Sequence, residues 1–237
     1  MIKHYLKVAF RNLMKYKTQS LVSIIGLAVG FTCFALSVLW IRYEMTYDTF
    51  HKGAERIYMV RAHYTDIPEH ISNSTPYPLA AYLQEKMPEI EAKATTSIHQ
   101  NVKIRMENDE YEVVMAAADS AFMNFFHIQL LKGTVNFLKE NNPEIAVTEE
   151  FAKKLFGSED DALGKEMEVN GRSRQIGAIV SGWSRHSNIP YSVLVAARHS
   201  PRWKSGPEQL FIRVRAGMDM DTFLKKISTM DLSDIQK

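Results

Sequence analysis

One cysteine, Cys33, occurs among the 237 residues, and it stands inside an apolar run. No intrachain disulfide is therefore available, and the fold must rest on its core. Acidic residues are missing from the first 42 positions, which hold Lys3, Lys7, Arg11, Lys15, Lys17 and Arg42. No charged residue of either sign lies between Lys17 and Arg42, and no second apolar run of that length follows. Internal repeats, low-complexity tracts and long linkers are also lacking.

The familiar catalytic signatures are absent too. Gly157 to Lys165 reads GSEDDALGK, which superficially suggests a phosphate loop. Its glycines are too far apart, Glu166 replaces the magnesium-binding Ser or Thr, and the segment follows a helix instead of a strand. The eight histidines form no H-E-x-x-H and no i, i+4 pair, so no zinc site is expected. No G-x-S-x-G elbow occurs. The many acidic residues read as a solvated surface. No catalytic, cofactor-binding or metal-binding residue is assigned.

What is present is unevenly charged. The chain carries a net +2, with 29 basic and 27 acidic residues. Six of the bases precede Tyr43, which leaves 23 against 27 acids from there on, a net of −4. A mildly acidic body excludes nucleic acid as its partner. A basic arm in front of it suits an anionic membrane face and its lipids.

The apolar run, Leu21 to Ile41, is 21 residues long. As a helix it would extend about 31 Å at ~1.5 Å per residue. That matches a hydrocarbon core of roughly 30 Å. A signal peptide has a shorter apolar core and a small-residue cleavage site. This run is longer and leaves into IRYEMTY, so the reading is an uncleaved membrane helix over 18–42. Five Lys/Arg before the span, against one just after it, predict a cytoplasmic N-terminus and an external body. Trp40 and Tyr43 stand where amphipathic rings favour the far interface. Gly26 and Gly30 form a G-x-x-x-G, a flat groove where another helix could pack.

Before the span, Ile2, Leu6, Ala9, Phe10, Leu13 and Met14 recur at spacings of three and four. Lys3, Lys7, Arg11 and Lys15 step along another face. This pattern predicts a basic amphipathic helix over 1–17, lying in the headgroup plane.

From Tyr43 onward the chain reads as mixed α and β. A strand is expected over Arg56 to Tyr64, and a helix from Pro76 to the stop at Pro88. VKIRME and YEVVMAAA read as a hairpin through Asn108 to Glu110. Asp119 is a candidate N-cap for a helix carrying Phe122, Phe125 and Phe126, expected in the core. EIAV is a short strand, and Thr148 caps TEEFAKKLFG. The Asn170–Gly171 turn joins two further strands. QLFIRVRA is a strand and MDTFLKKI a last short helix. Loops are expected over Ser181 to Pro190 and Ser200 to Pro207.

The opening KHYLKVAFRNLMKYKTQSLVSIIGLAVGFTCF resembles the start of ABC-transporter permeases of the MacB/FtsX type. The resemblance rests on Arg11-Asn12-Leu13 and on the Gly26-to-Gly30 element. It continues in Tyr47, Asp48, Phe50, His51, Arg56, Ile57 and Tyr58, which match a Y-D-x-F-H-x-x-x-x-R-I-Y pattern leading into a MacB-like periplasmic core domain. Further matches are the helix at Pro78, the ADSAFMNFFHIQLLKG block, and VTEEFAKKLFG followed by ALGKEMEVNG.

The resemblance implies an α+β protein. An interfacial helix and one transmembrane helix would lead into a periplasmic core domain over 43–237. It implies no enzymatic role. The partners it implies are a cytoplasmic ABC ATPase on a separate chain and a second permease half or homodimer copy. A periplasmic adaptor or outer-membrane protein would join some such complexes. Permeases of this type have four membrane helices per half, so the sequence reads as the first portion, a fragment or a truncated form of one. A single-span receptor with an external ligand-binding domain is the alternative, and a membrane-anchored enzyme is the weakest reading. Nothing in the residues selects a substrate.

Overall fold

The computed structural model describes residues 2–63, 71–106, 109–183, 187–203 and 208–230, without the side chains of Ile2 and Leu6. The expected strand end at Tyr64, the hairpin turn at Asn108, His70, His186 and parts of two loops, 184–186 and 204–207, lie outside these residues. The chain divides into two compact units, 1–47 and 48–237.

The first unit is two helices. α1, Ile2–Lys15, places Lys3, Lys7, Arg11 and Lys15 in the open, together with Phe10, Leu13 and Met14. Tyr16 leaves the helical region at φ −109°, ψ 57°, and α2 then runs from Lys17 to Met45. α2 has 29 residues and buries none of them. It is long and apolar enough to cross a membrane. Two of its hydroxyls are satisfied internally: Thr32 Oγ1 donates to the Ala28 carbonyl at 2.8 Å, and Ser37 Oγ to that of Cys33 at 2.9 Å. A helix in hydrocarbon has no water to serve such groups.

The second unit contains eleven described strands, β1–β11. They are Ile57–Val60, Ala62–His63, Ile71–Ser72, Ile90–Met106, Asp109–Ala118, Leu130–Gly133, Ile145–Thr148, Glu166–Val169, Arg172–Val180, Val193–Ala196 and Gln209–Val214. Its helices are α3 Tyr77–Lys86, α4 Phe122–Phe126, α5 Glu149–Phe156, α6 Glu159–Ala162 and α7 Met220–Ser228.

Nine strands form one sheet in the order β1-β11-β4-β5-β10-β7-β9-β6, with β8 joining β4 to β9. The pairing therefore closes on itself through β4, β5, β10, β7, β9 and β8. All six of these strands feed one cluster that includes Ile104, Val113, Val147, Met167, Ile176 and Val193. β6 extends the sheet beyond β9, and at the other end β1, β11 and the first half of β4 are covered on both sides. Their alternation shows this: Ile57, Met59 and Phe211 turn to the cluster built on α4, and Tyr58, Leu210 and Ile212 to the cluster under α3 and α7. β4 serves both regions because its register shifts between His99 and Val102, where Asn101 takes φ +53°.

Local chemistry explains the ends. Thr148 Oγ1 accepts from the Phe151 amide at 3.3 Å and caps α5, and Gly157 follows at φ +82°. Asn170 and Gly171, at φ +48° and +75°, make the tight turn between β8 and β9. Asp119 is not an N-cap as expected. The N-cap position is two residues later, at Ala121, and α4 begins at Phe122. The Asp119 carboxylate instead accepts from the Thr95 amide at 2.9 Å and hydroxyl at 3.0 Å, and from the Ala121 amide. It ties the start of the α4 segment to β4. Phe122, Phe125 and Phe126 are all buried. The segment Gly157 to Lys165 contains the helix stop and α6, capped by Ser158, and precedes β8.

Candidate functional site

The segment at the head of the second unit builds its most distinctive site. Asp48, its first residue, sits in the left-handed region at φ +55°. That turn aims the carboxylate at residues 187–188. Oδ1 accepts from Ser187 Oγ at 2.5 Å, and Oδ2 from Asn188 Nδ2 at 2.9 Å. The Asn188 amide adds contacts of 3.2 Å to both oxygens. One carboxylate thus ties together two segments about 140 positions apart.

One turn later His51 enters an aromatic cage. Its ring centroid lies 4.2 Å from Phe50, 5.1 Å from Phe126 and 4.8 Å from Trp183. Phe126 also touches Phe122, Phe125, Trp183 and Phe211. Burial pushes the His51 imidazole below its ordinary value, outweighing the opposing effects of Asp48 and of a hydrogen bond to the Phe126 backbone. Nε2 is buried without a hydrogen-bond partner, 3.9 Å from Asp48 Oδ1. That gap exceeds a hydrogen bond.

Ser187, His51 and Asp48 do not form a nucleophilic triad. The serine hydroxyl donates directly to the aspartate, whereas a triad needs the histidine between them.

Beyond the cage, Arg56 Nη1 donates to Glu91 Oε2 at 2.7 Å and to the Val214 carbonyl at 3.2 Å. Ile57 and Tyr58 begin β1 on opposite faces, and the Tyr58 hydroxyl donates to the Glu55 carbonyl at 3.1 Å. The sequence-matched residues thus separate into two groups. Asp48, His51 and Ile57 border one cavity of about 490 Å³, while Arg56 and Tyr58 fasten β1 to its neighbours. Phe50 stacks on His51 and stays 44% exposed. Tyr47, at the end of the first unit, packs edge-on against Tyr43 at 5.7 Å.

Ser187, Asn188, Trp183 and Phe211 escape sequence reading. Only the tertiary fold brings Trp183, residues 187–189 and β11 beside Asp48 and His51. The other sequence-assigned residues lie on the first unit. Lys3, Lys7, Arg11, Lys15 and Lys17 are exposed, as are Trp40 and Tyr43, whose rings are 6.2 Å apart. A side chain placed at Gly26 or Gly30 would meet nothing within 4 Å. Among the described residues no group of three His, Cys, Asp or Glu could hold a metal ion.

Residues 20–230 match the family described as MacB-like periplasmic core domain, and the chain belongs to that family. The solved structures it is similar to include a domain of a protein described as a permease from Porphyromonas gingivalis. That structure is 21% identical, with a TM-score of 0.62, over 77% of this chain and 88% of the other. The periplasmic region of MacB from Actinobacillus actinomycetemcomitans is 14% identical, with a TM-score of 0.53, over 75% and 81%. The extracellular domain of the noncanonic ABC-type transporter YknZ from Gram-positive bacteria is 11% identical, with a TM-score of 0.52, over 70% and 86%. At these identities the likeness is one of fold. No curated protein matches the chain. The family indicates a periplasmic domain associated with ABC-type permeases and is not a known catalytic one.

Proposed function

We propose that this chain is the permease part of an ABC-type export or mechanotransmission complex. Its periplasmic domain would couple cytoplasmic ATP hydrolysis to work on a periplasmic substrate. One observation carries the reading: a basic amphipathic helix, a membrane-length helix with two unencumbered glycines and a MacB-like periplasmic core domain follow one another in one chain. The ATPase is a separate subunit, and a second permease half or a second copy faces Gly26 and Gly30. A periplasmic adaptor or outer-membrane protein completes some such assemblies.

In this reading residues 1–17 lie on the cytoplasmic face, where Lys3, Lys7, Arg11, Lys15 and Lys17 meet anionic headgroups. Residues 18–42 cross the inner membrane, Trp40 and Tyr43 mark its outer interface, and 43–237 form the periplasmic body. Asp48, His51 and Arg56 do mechanical work. They fix the head segment at three separate points, Asp48 to residues 187–188, His51 to Phe126 and Trp183, and Arg56 to Glu91 and Val214, so that displacement of the span would reach the whole domain and not merely unravel its first turn.

The test is purification of the tagged protein from its native membranes in mild detergent. An ATP-hydrolysing subunit in stoichiometric amount is expected. A preparation with ATPase-free stoichiometry contradicts the proposal and favours a single-span receptor, the reading to which the cavity beside His51 would also lend itself.

A further inference from the structure

Positive charge gathers on one wall of the closed pairing, where the permease reading has no use for it. In the β8–β9 hairpin Arg172 stands opposite Val169, and Arg174 opposite Met167. Directly opposed residues share a face of a sheet. Val169 and Met167 are buried in the cluster that the closed pairing surrounds, so both arginines rise from that same face. Together with Val195 they line two cavities. One, of about 360 Å³, adds Arg198, two residues past the end of β10. The other, of about 290 Å³, adds Met115 and Val169.

Three guanidiniums around one cavity call for an anion. Arg172 and Arg198 are exposed and Arg174 is half-buried, and among the described residues none of them has an ion-pair partner. Arg174 makes a single contact, from Nη1 to the Asn142 carbonyl at 3.5 Å, longer than an ordinary hydrogen bond. Among the described residues the one acid in the wall is Glu208. It is 3% exposed, and its Oε1 lies 3.1 Å from His199 Nδ1. Residues 204–207 before it, Lys-Ser-Gly-Pro, add no acid. Three positive charges against one negative leave the wall at +2. A phosphate monoester carries about −1.5 to −2 near neutral pH and matches that surplus, whereas a monocarboxylate leaves half of it uncompensated. The guanidinium fork also pairs with phosphate oxygens two at a time. Met115, Val169 and Val195 offer the organic part of such an ester an apolar seat, too small for the two chains of a lipid.

We propose that Arg172, Arg174 and Arg198 form a binding site for a soluble phosphate monoester. The phosphate sits among the three guanidiniums, and a compact apolar group rests on Met115, Val169 and Val195. Charge pairing supplies most of the affinity, and the apolar seat selects an ester over free phosphate.

The test is titration calorimetry on the full chain in a maltoside detergent, which carries no phosphate, at about 0.15 M salt. Phenyl phosphate is expected to bind at least tenfold more tightly than benzoate and at least threefold more tightly than inorganic phosphate. Arg174→Gln and Arg198→Gln should each weaken phenyl phosphate by tenfold or more. Lys7→Gln/Arg11→Gln, on the other basic stretch of the chain, should leave it unchanged. Equal binding of phenyl phosphate and benzoate overturns the proposal. So does a loss in the α1 variant with none in the cavity variants, which marks an adventitious ion only. Should Arg174→Gln fail to unfold cooperatively, Arg198→Gln decides, since Arg198 is exposed and lies outside the strands: full affinity in that variant contradicts the site. Phosphatidic acid supplied in nanodiscs should not compete with phenyl phosphate. Competition would assign the site to a lipid headgroup and contradict a soluble ester.

Discussion

At the residue scale the chain invests most in His51. A buried imidazole with a depressed affinity for protons must titrate on unfolding, and the sign follows directly. The unfolded chain, with an ordinary histidine near 6.5, binds more protons below that value than the folded one does. Stability is therefore full above about pH 6.5 and falls as the pH drops toward the folded value. Urea unfolding at pH 5 and pH 7 should show lower stability at pH 5. His51→Phe should reduce that difference, because phenylalanine keeps the ring contacts and removes the proton. A variant with the same pH dependence as the parent would dissociate His51 from the effect. The histidine could be singled out in the sequence only by its match to the Y-D-x-F-H pattern. Its cage could not, since Phe126 and Trp183 lie 75 and 132 positions further on.

At the element scale, glycine has opposite meanings in the two units. Gly133 sits at φ +82°, and a Cβ built there would lie 2.1 Å from the Gly177 carbonyl oxygen on β9. Backbone, not a movable side chain, blocks it. Gly133→Ala is expected to destabilise the domain by at least about 2 kcal/mol, through strain and strand separation. Chemical denaturation measures this, and a loss under about 0.5 kcal/mol would show that β6 can move away freely. Gly26 and Gly30 are different, since a side chain at either meets nothing in this chain. Leucine at both should even favour α2, by somewhat less than about 0.8–1 kcal/mol per site, the glycine–alanine difference, from helix propensity alone. The proposed packing role therefore predicts a dissociation of effects. Gly26→Leu/Gly30→Leu keeps or raises helix stability by circular dichroism while co-purification with the partner subunit falls at least tenfold. Undiminished co-purification contradicts the role.

The same scale shows what the pattern of residues could reveal. α5, with its threonine cap and terminal glycine, and the β8–β9 hairpin, with its Asn-Gly turn, are governed by neighbours in sequence and were legible. So were α3, β7, β11 and α7. Residues 90–101 of β4 and the whole of β10 were not read as strands. β4 alternates between two cores across a register shift, so its burial follows no single period. β10 is a four-residue strand held by β5 and β7, parallel to one and antiparallel to the other, and its support is entirely remote. Asp119 misled because an aspartate before a helix ordinarily caps it. Here the competing donors on Thr95, 24 positions earlier, hold the carboxylate.

At the scale of the whole molecule, the division between Tyr47 and Asp48 separates a unit that buries nothing along its long helix from one with three apolar clusters. The long apolar helix of the first unit buries no residue, whereas the second unit already has its core. The proposed coupling turns on that difference, because it would set the bare helix in a membrane against a neighbouring helix and leave the second unit to move as one body.

The most direct measurement follows the periplasmic body while the cytoplasmic ATPase works. Lys154 is exposed on α5, so Lys154→Cys in a Cys33→Ser background offers a single site for a spin label. The complex, reconstituted with its ATPase and labelled on two permease copies, is compared with ADP and with ATP plus vanadate by pulsed electron–electron resonance. The account predicts that the distance distribution between the labels shifts between the two nucleotide states. A distribution that stays the same, in a preparation shown to hydrolyse ATP, would contradict it.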